Sequence, residues 1–98
     1  MAPNTLNKVK AFLRISHDKL DADITDSVDA CLADLRMHGI TEQKTDADPL
    51  ILNAVKLWCK SIYTDDTAKA AEYLKRYEAM RDHLKAAKGY GWEAGGSE

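Results

Sequence analysis

The chain has 98 residues, 45% of them hydrophobic, and a nearly balanced charge of 14 Lys and Arg against 16 Asp and Glu. This length fits one domain with a small core, and the formal charge of −2 argues against a protein whose main role is to grip phosphate backbones. The chain has only five Gly, two Pro and 7% aromatic residues, and no stretch of 18 residues is apolar throughout. This composition favours an all-α domain over a β-sandwich, a disulfide scaffold or a membrane protein.

The first 40 residues predict two helices. Thr5 can cap a first helix of about nine or ten residues, in which Leu6, Val9, Phe12 and Leu13 share one face. A second helix over about residues 20–38 has apolar residues in steps of three and four, and Gly39 occupies the position of a left-handed C-terminal cap.

Residues 39–48 form a polar connection that is long for a structureless loop in a compact domain. Its one strongly apolar residue is Ile40. The segment therefore predicts either a site of contact or a mobile arm, and Ile40 is a candidate contact to a partner protein.

A third helix begins with a strong signal, the acid Asp48 followed by Pro49, and extends to about Tyr63. It is apolar around most of its circumference, so it must be covered on most sides. Two interpretations fit: a central core helix, or a helix partly covered by a neighbouring subunit. Trp58 is a candidate interface residue under the second interpretation.

A fourth helix is predicted over about residues 68–87, after a turn and cap at residues 64–67. Together these elements predict an all-α fold, a compact bundle of four to five helices, with one domain over residues 1–88. Residues 89–98 form a Gly-rich tail that we expect to be flexible when free. The tail contains Tyr90 and Trp92, which are either accidental or anchors that become ordered on binding a partner.

The charge is unevenly distributed along the chain. Residues 18–36 contain six acids and two bases, whereas residues 69–88 contain six bases and three acids. These segments are either two solvated helix faces or the two sides of a head-to-tail contact between copies. The candidate interface residues are Asp23, Asp26 and Asp29 on the second helix and Lys75 and Arg81 on the fourth.

The sequence contains no recognisable catalytic, nucleotide-binding or metal-binding motif, and we expect no enzyme activity, cofactor or metal. The dense titratable segment from His17 to Asp23 is better explained by helix capping and solvation than by catalysis. Cys31 and Cys59 fall at apolar helix positions and predict buried free thiols in a reducing compartment. A small helical DNA-binding or regulatory module remains the alternative function, with the basic fourth helix as its only candidate surface.

Four segments of the chain form an ordered combination: VKAFLRISHDKLDADI at residues 9–24, ACLADLRMHGI at 30–40, DPLILNAVKLWCKSIY at 48–63 and YEAMRDHLKAAKGY at 77–90. Together they resemble the head–tail connector, or adaptor, proteins of tailed bacteriophages and prophages, which are often labelled phage DNA-packaging proteins. The family opening is a short helix ending in Leu-Arg-Ile, here residues 13–15, then a polar turn and an acid, here Asp21. The Gly-rich segment after Tyr90 departs from the family pattern.

The resemblance implies a structural protein without enzyme activity. About twelve copies would form a ring below the portal protein, extend the DNA channel and dock the next neck or tail completion protein. Duplex DNA would pass through without sequence recognition, and the aspartates of the second helix would face this channel or the neighbouring subunit. The implied location is the host bacterial cytoplasm during assembly and then the neck of the virion, with no membrane contact.

Overall fold

The computed structural model describes residues 4–43, 45 and 48–87, and these residues form four α-helices without a strand. The helices are α1 (Thr5–Leu13), α2 (Asp21–Met37), α3 (Pro49–Ile62) and α4 (Thr67–Ala86). The predicted all-α bundle is confirmed, with four helices. Within the described residues, no helix has both the length and the apolar composition needed to cross a membrane.

α3 lies at the centre of the bundle and packs against α1, α2 and α4, with its largest contact to α4. The reason is its composition, since Ile51, Ala54, Val55 and Cys59 are all buried. The interpretation of the third helix as a central core helix is therefore confirmed. Leu50 and Ile62, at its two ends, keep 39% and 50% of their surface exposed.

The two C-terminal helices begin at acidic caps, as the sequence predicts. The Asp48 carboxylate accepts a hydrogen bond from the Leu50 amide at 2.9 Å, and Pro49 is the first residue of α3. The Asp66 carboxylate accepts from the amides of Ala68 and Lys69, at 2.9 and 3.1 Å. Each cap satisfies amides that would otherwise lack a partner in the first helical turn.

The predicted cap at Thr5 is wrong. Asn4 occupies the N-cap position of α1 without a side-chain cap, and Thr5 is the first residue of the helix. The Thr5 side chain is instead buried, and its hydroxyl is hydrogen-bonded to the hydroxyl of Thr45. A buried hydroxyl needs such a partner, because its desolvation would otherwise be uncompensated.

The first two helices end in left-handed turns. Gly39 has a φ of 86°, which confirms the predicted cap of α2. The amide of Gly39 donates to the carbonyl of Arg36, and the amide of Ile40 donates to that of Leu35, which is the Schellman pattern. Arg14 follows α1 with a φ of 60°, although it lacks the conformational freedom of glycine.

The connection after α2 is tied to the bundle at three points in its described part. Ile40 has no exposed surface and belongs to the core. The Gln43 amide nitrogen donates to the carbonyls of Leu32 and Ile40, each at 2.8 Å, and Thr45 is bonded to Thr5. Hence the expectation of Ile40 as a partner contact is corrected: the Schellman turn directs this apolar residue back onto α2, where it is buried.

The predicted tail lies outside the described residues, which end at Ala87. Tyr90 and Trp92 fall in that segment, so their suggested role as partner anchors stays a prediction. The predicted boundary between a domain over residues 1–88 and the tail stays a prediction as well.

Candidate functional site

Three of the predicted interface residues lie on the solvent side of α2. Asp23, Asp26 and Asp29 are all exposed, because the opposite side of the helix carries the buried residues Ile24 and Val28. Within the described residues, none of these three carboxylates is ion-paired. We call this set the acidic face of α2, and its negative charge is available to a partner.

A fourth aspartate of α2, which the sequence did not single out, joins α2 to α4. The Asp34 carboxylate accepts a hydrogen bond from the Tyr77 hydroxyl at 2.6 Å and lies 3.3 Å from the Arg81 guanidinium. His38, the residue that follows α2, is hydrogen-bonded to the Asp34 backbone carbonyl through Nδ1 at 2.8 Å. Asp34, Tyr77 and Arg81 therefore form a polar link across the bundle.

The environment of this link shifts the pKa values of its members. Burial raises the pKa of Tyr77, and donation of its hydroxyl proton to Asp34 raises it further, so the phenol stays protonated. Partial burial acts to lower the pKa of Arg81, but the hydrogen bond and negative charge of Asp34 outweigh it and raise the pKa. The link thus joins a neutral phenol, a carboxylate and a guanidinium cation.

Arg81, predicted as an interface residue, therefore has a partner inside its own chain. Its side chain keeps only 19% of its surface exposed, against 58% for Arg76, five residues earlier. Lys75, the other predicted base of α4, is exposed and lacks an ion-pair partner in the described part of the chain. Of these two predicted bases, Lys75 rather than Arg81 therefore keeps its positive charge free for a second copy.

Trp58 lies in the contact between α3 and α4. Its ring meets the Tyr77 ring edge to face, with centroids 5.0 Å apart and an interplanar angle of 72°. The residue is half-buried and packs against the core, while its buried indole N–H lacks an acceptor among the described residues. Trp58 thus contributes to the packing of one protomer, and its suggested role between subunits stays a hypothesis.

The two cysteines are buried free thiols, as predicted. Burial raises the pKa of Cys31, and it raises the pKa of Cys59 to about 12. A thiol with a raised pKa is poorly nucleophilic, because the thiolate is the reactive form. Both residues therefore act as small apolar core residues.

The titratable segment before α2 is built from turns and surface residues. His17 is exposed, and its Nδ1 accepts a hydrogen bond from the Lys19 amide at 3.3 Å. Asp21, in the first turn of α2, is ion-paired with Lys10 of α1 at 2.7 Å. In the described ranges, no three His, Cys, Asp or Glu side chains come together in a group that could hold a metal ion.

The comparison with protein families gives a match over nearly the whole chain. A family model described as phage connector protein matches residues 5–91. The search of curated proteins and the search of solved structures gave no match. The matched range includes all four helices and the polar link between α2 and α4.

Proposed function

The chain belongs to the phage connector protein family, and from this premise we propose that it is a structural subunit of the junction between phage head and tail. About twelve copies form a ring below the portal protein, in which each copy contacts the next head to tail. The ring extends the DNA channel and presents a docking surface for the next neck or tail completion protein. The family match over residues 5–91 is the observation that carries this proposal.

The acidic face of α2 supports passage of DNA rather than its recognition. Asp23, Asp26 and Asp29 are exposed carboxylates, and they repel the phosphates of a duplex. In the proposed ring these residues face either the channel, where they repel the duplex, or the neighbouring subunit, where they are covered; in both positions this surface does not bind DNA. The net charge of −2 agrees with this role, because proteins that grip DNA carry a surplus of bases.

The proposed location follows from the proposed role. The subunit assembles in the host bacterial cytoplasm and ends in the neck of the virion. Tyr90 and Trp92 are proposed as anchors for the portal protein or for the downstream partner, since aromatic side chains are frequent anchors at interfaces.

The experiment measures assembly and DNA binding on the same purified full-length chain. Light scattering across a range of concentrations, followed by co-sedimentation with the cognate portal protein, should give a defined ring or a portal-bound species. Fluorescence anisotropy with a labelled duplex should give weak binding. A chain that never associates with itself or with the portal, and binds duplex DNA with a steep salt dependence, would instead be a DNA-binding module.

A further inference from the structure

An open groove runs between α3 and α4 on the surface of the bundle. It has a volume of about 500 Å³, and its lining combines Asn53 and Leu57 of α3 with Arg76, Ala79, Met80 and His83 of α4. Leu57 and Met80 give it an apolar floor. We call it the α3–α4 groove; its volume is that of a typical binding pocket.

The margins of the groove carry unbalanced positive charge. Lys60 follows Leu57 by three residues, and Lys75 precedes Ala79 by four, so each lies one helical turn from a lining residue on the same side of its helix. Glu72, three residues before Lys75, is paired with Arg76. Glu78, three residues after Lys75, has no ion pair within the described residues, but its position places it on the side of α4 opposite to the lining residues. Lys60 and Lys75 themselves have no ion-pair partner within the described residues.

The outer side of α2 offers the complementary surface. Met37, the last residue of α2, keeps 84% of its surface exposed, the largest exposed fraction among the large apolar side chains of the described residues. It follows Ala33, Ala30 and Asp26 by four, seven and eleven residues, a spacing that places all four on one stripe of the helix. Small alanines allow a second helix or groove to approach closely, while Asp23, Asp26 and Asp29 supply charge opposite to that of the groove.

Building on the proposed ring-forming role, we propose that the α3–α4 groove binds the outer side of α2 from a second copy of this chain. The flexible Met37 fills the apolar floor, and the acidic face of α2 lies against Lys60 and Lys75 at the margins. Because the groove and the outer side of α2 are different surfaces, one copy can use both with two different neighbours, and the contact is then heterologous and repeats from copy to copy, as the proposed ring requires. Such a contact closes into a ring when the rotation between copies allows it.

Charge complementarity favours a second copy over another occupant. The groove needs a partner that combines an exposed apolar group with carboxylates, and α2 presents both on one stripe. The same contact pairs charges that have no partner within one copy. It also explains how a chain with a nearly balanced total charge contains one acidic and one basic segment.

The test uses two full-length variants in which the charge of one of the two surfaces is reversed; we call them the reversed chains. The first carries Asp26→Lys and Asp29→Lys, which make the α2 surface basic; the second carries Lys60→Glu and Lys75→Glu, which make the groove margins acidic. Asp26, Asp29 and Lys75 are exposed and Lys60 is partly exposed, so each chain should keep the thermal unfolding midpoint of the wild type within a few degrees. Each reversed chain alone should need at least about tenfold higher concentration for half-assembly at low salt, because every contact then joins like charges.

An equal mixture of the two reversed chains should recover assembly to within about threefold of the wild type. In the mixture the basic α2 surface of one chain meets the acidic groove of the other, while the alternate contacts join two wild-type surfaces. Two matched controls reverse charges elsewhere on the surface. One carries Glu42→Lys with Glu78→Lys, the other Arg14→Glu with Lys19→Glu, and both should assemble like the wild type.

The outcomes separate this contact from the proposed function. If the wild type forms rings and neither reversed chain differs from it, the contact is wrong and the ring-forming role stands. Loss of assembly in both chains without recovery in the mixture also overturns the contact, because the surfaces then do not meet each other. A wild type that stays monomeric at every concentration and on the portal overturns the contact and the proposed function together.

Discussion

Asp34 on α2 and Tyr77 on α4 are 43 residues apart in the sequence, yet the Tyr77 hydroxyl donates to the Asp34 carboxylate at 2.6 Å. Arg81 adds an ion pair to the same carboxylate at 3.3 Å. The main packing partner of α4 is α3, so this link is a direct attachment of α4 to α2. It stabilises the position of α4 and thereby the shape of the α3–α4 groove.

Arg81→Ala should lower the free energy of unfolding by about 1–3 kcal/mol, because it leaves the partly buried Asp34 carboxylate without its cation. Arg76→Ala is the matched control: its pair with Glu72 is exposed, and the loss should stay below about 0.5 kcal/mol. Urea unfolding followed by circular dichroism measures both. Equal losses in the two variants would show that the link adds nothing beyond a surface ion pair.

Trp58→Ala should lower the free energy of unfolding by about 3 kcal/mol, because the edge-to-face contact with Tyr77 and the packing between α3 and α4 are lost. Leu74→Ala removes a large apolar side chain of α4 that is 40% exposed, and its cost should be below about 1 kcal/mol. Thermal unfolding at a concentration where the chain is monomeric isolates this effect from assembly. A loss at Trp58 no larger than that at Leu74 would contradict the packing role.

Arg14→Gly should raise the free energy of unfolding by about 0.5–1 kcal/mol. Arg14 adopts a left-handed conformation at the end of α1, and its Cβ makes this conformation costly, whereas glycine adopts it freely. Part of the gain is offset by the larger conformational entropy of glycine in the unfolded chain. Arg14→Ala keeps the Cβ and is the control, so a stabilisation by alanine as large as that by glycine would refute the conformational explanation.

The stability of the protein should fall as pH rises above about 9. Cys59 has a pKa raised to about 12, so the folded state keeps a proton that the unfolded state releases near pH 9. Between pH 9 and 12 the unfolded state binds fewer protons than the folded state. Each pH unit in this range therefore lowers the free energy of unfolding by about 1.4 kcal/mol through this thiol. Cys31 and Tyr77 shift in the same direction and add to the loss.

Cys59→Ala provides the control for the alkaline effect. It removes one of the titrating groups. The slope of the free energy of unfolding against pH between 9 and 11 should therefore become less steep by about 1.4 kcal/mol per pH unit, which corresponds to one proton. Urea unfolding at a series of pH values gives this slope, and each variant is compared with its own value at pH 7. An unchanged slope would mean that Cys59 is not among the groups responsible.

The four helices and several of their ends, though not the cap of α1, were predictable because local rules determine them. Asp48 with Pro49 and the position of Gly39 are short-range signals, and each acts in the structure as the sequence predicts. For Ile40, the rule for a left-handed glycine cap was used to end the helix but not to place the residue that follows the glycine. The residue after a left-handed glycine cap commonly packs back on its helix, and this signal would have placed Ile40 in the core.

The link between Asp34 and Arg81 was not predictable from one sequence. The chain has 16 acids and 14 bases, and their spacing does not show which pair meets across 47 residues. Asp34 differs from Asp23, Asp26 and Asp29 only in its position at the margin of the buried side of α2. Only the orientation of α4 shows that this position brings Asp34 to Arg81. The charges of Asp34 and Arg81 are then paired within the chain, whereas those of Asp23, Asp26 and Asp29 remain available to a partner.

The central position of α3 has a consequence for how the protein unfolds. Because α1, α2 and α4 all pack against α3, the loss of this one helix removes the main support of each of the others. We therefore expect a single cooperative transition rather than stepwise loss of helices. The slowest amide hydrogen exchange should lie in the middle of α3, at Val55 and its neighbours, and should report global unfolding of the whole subunit.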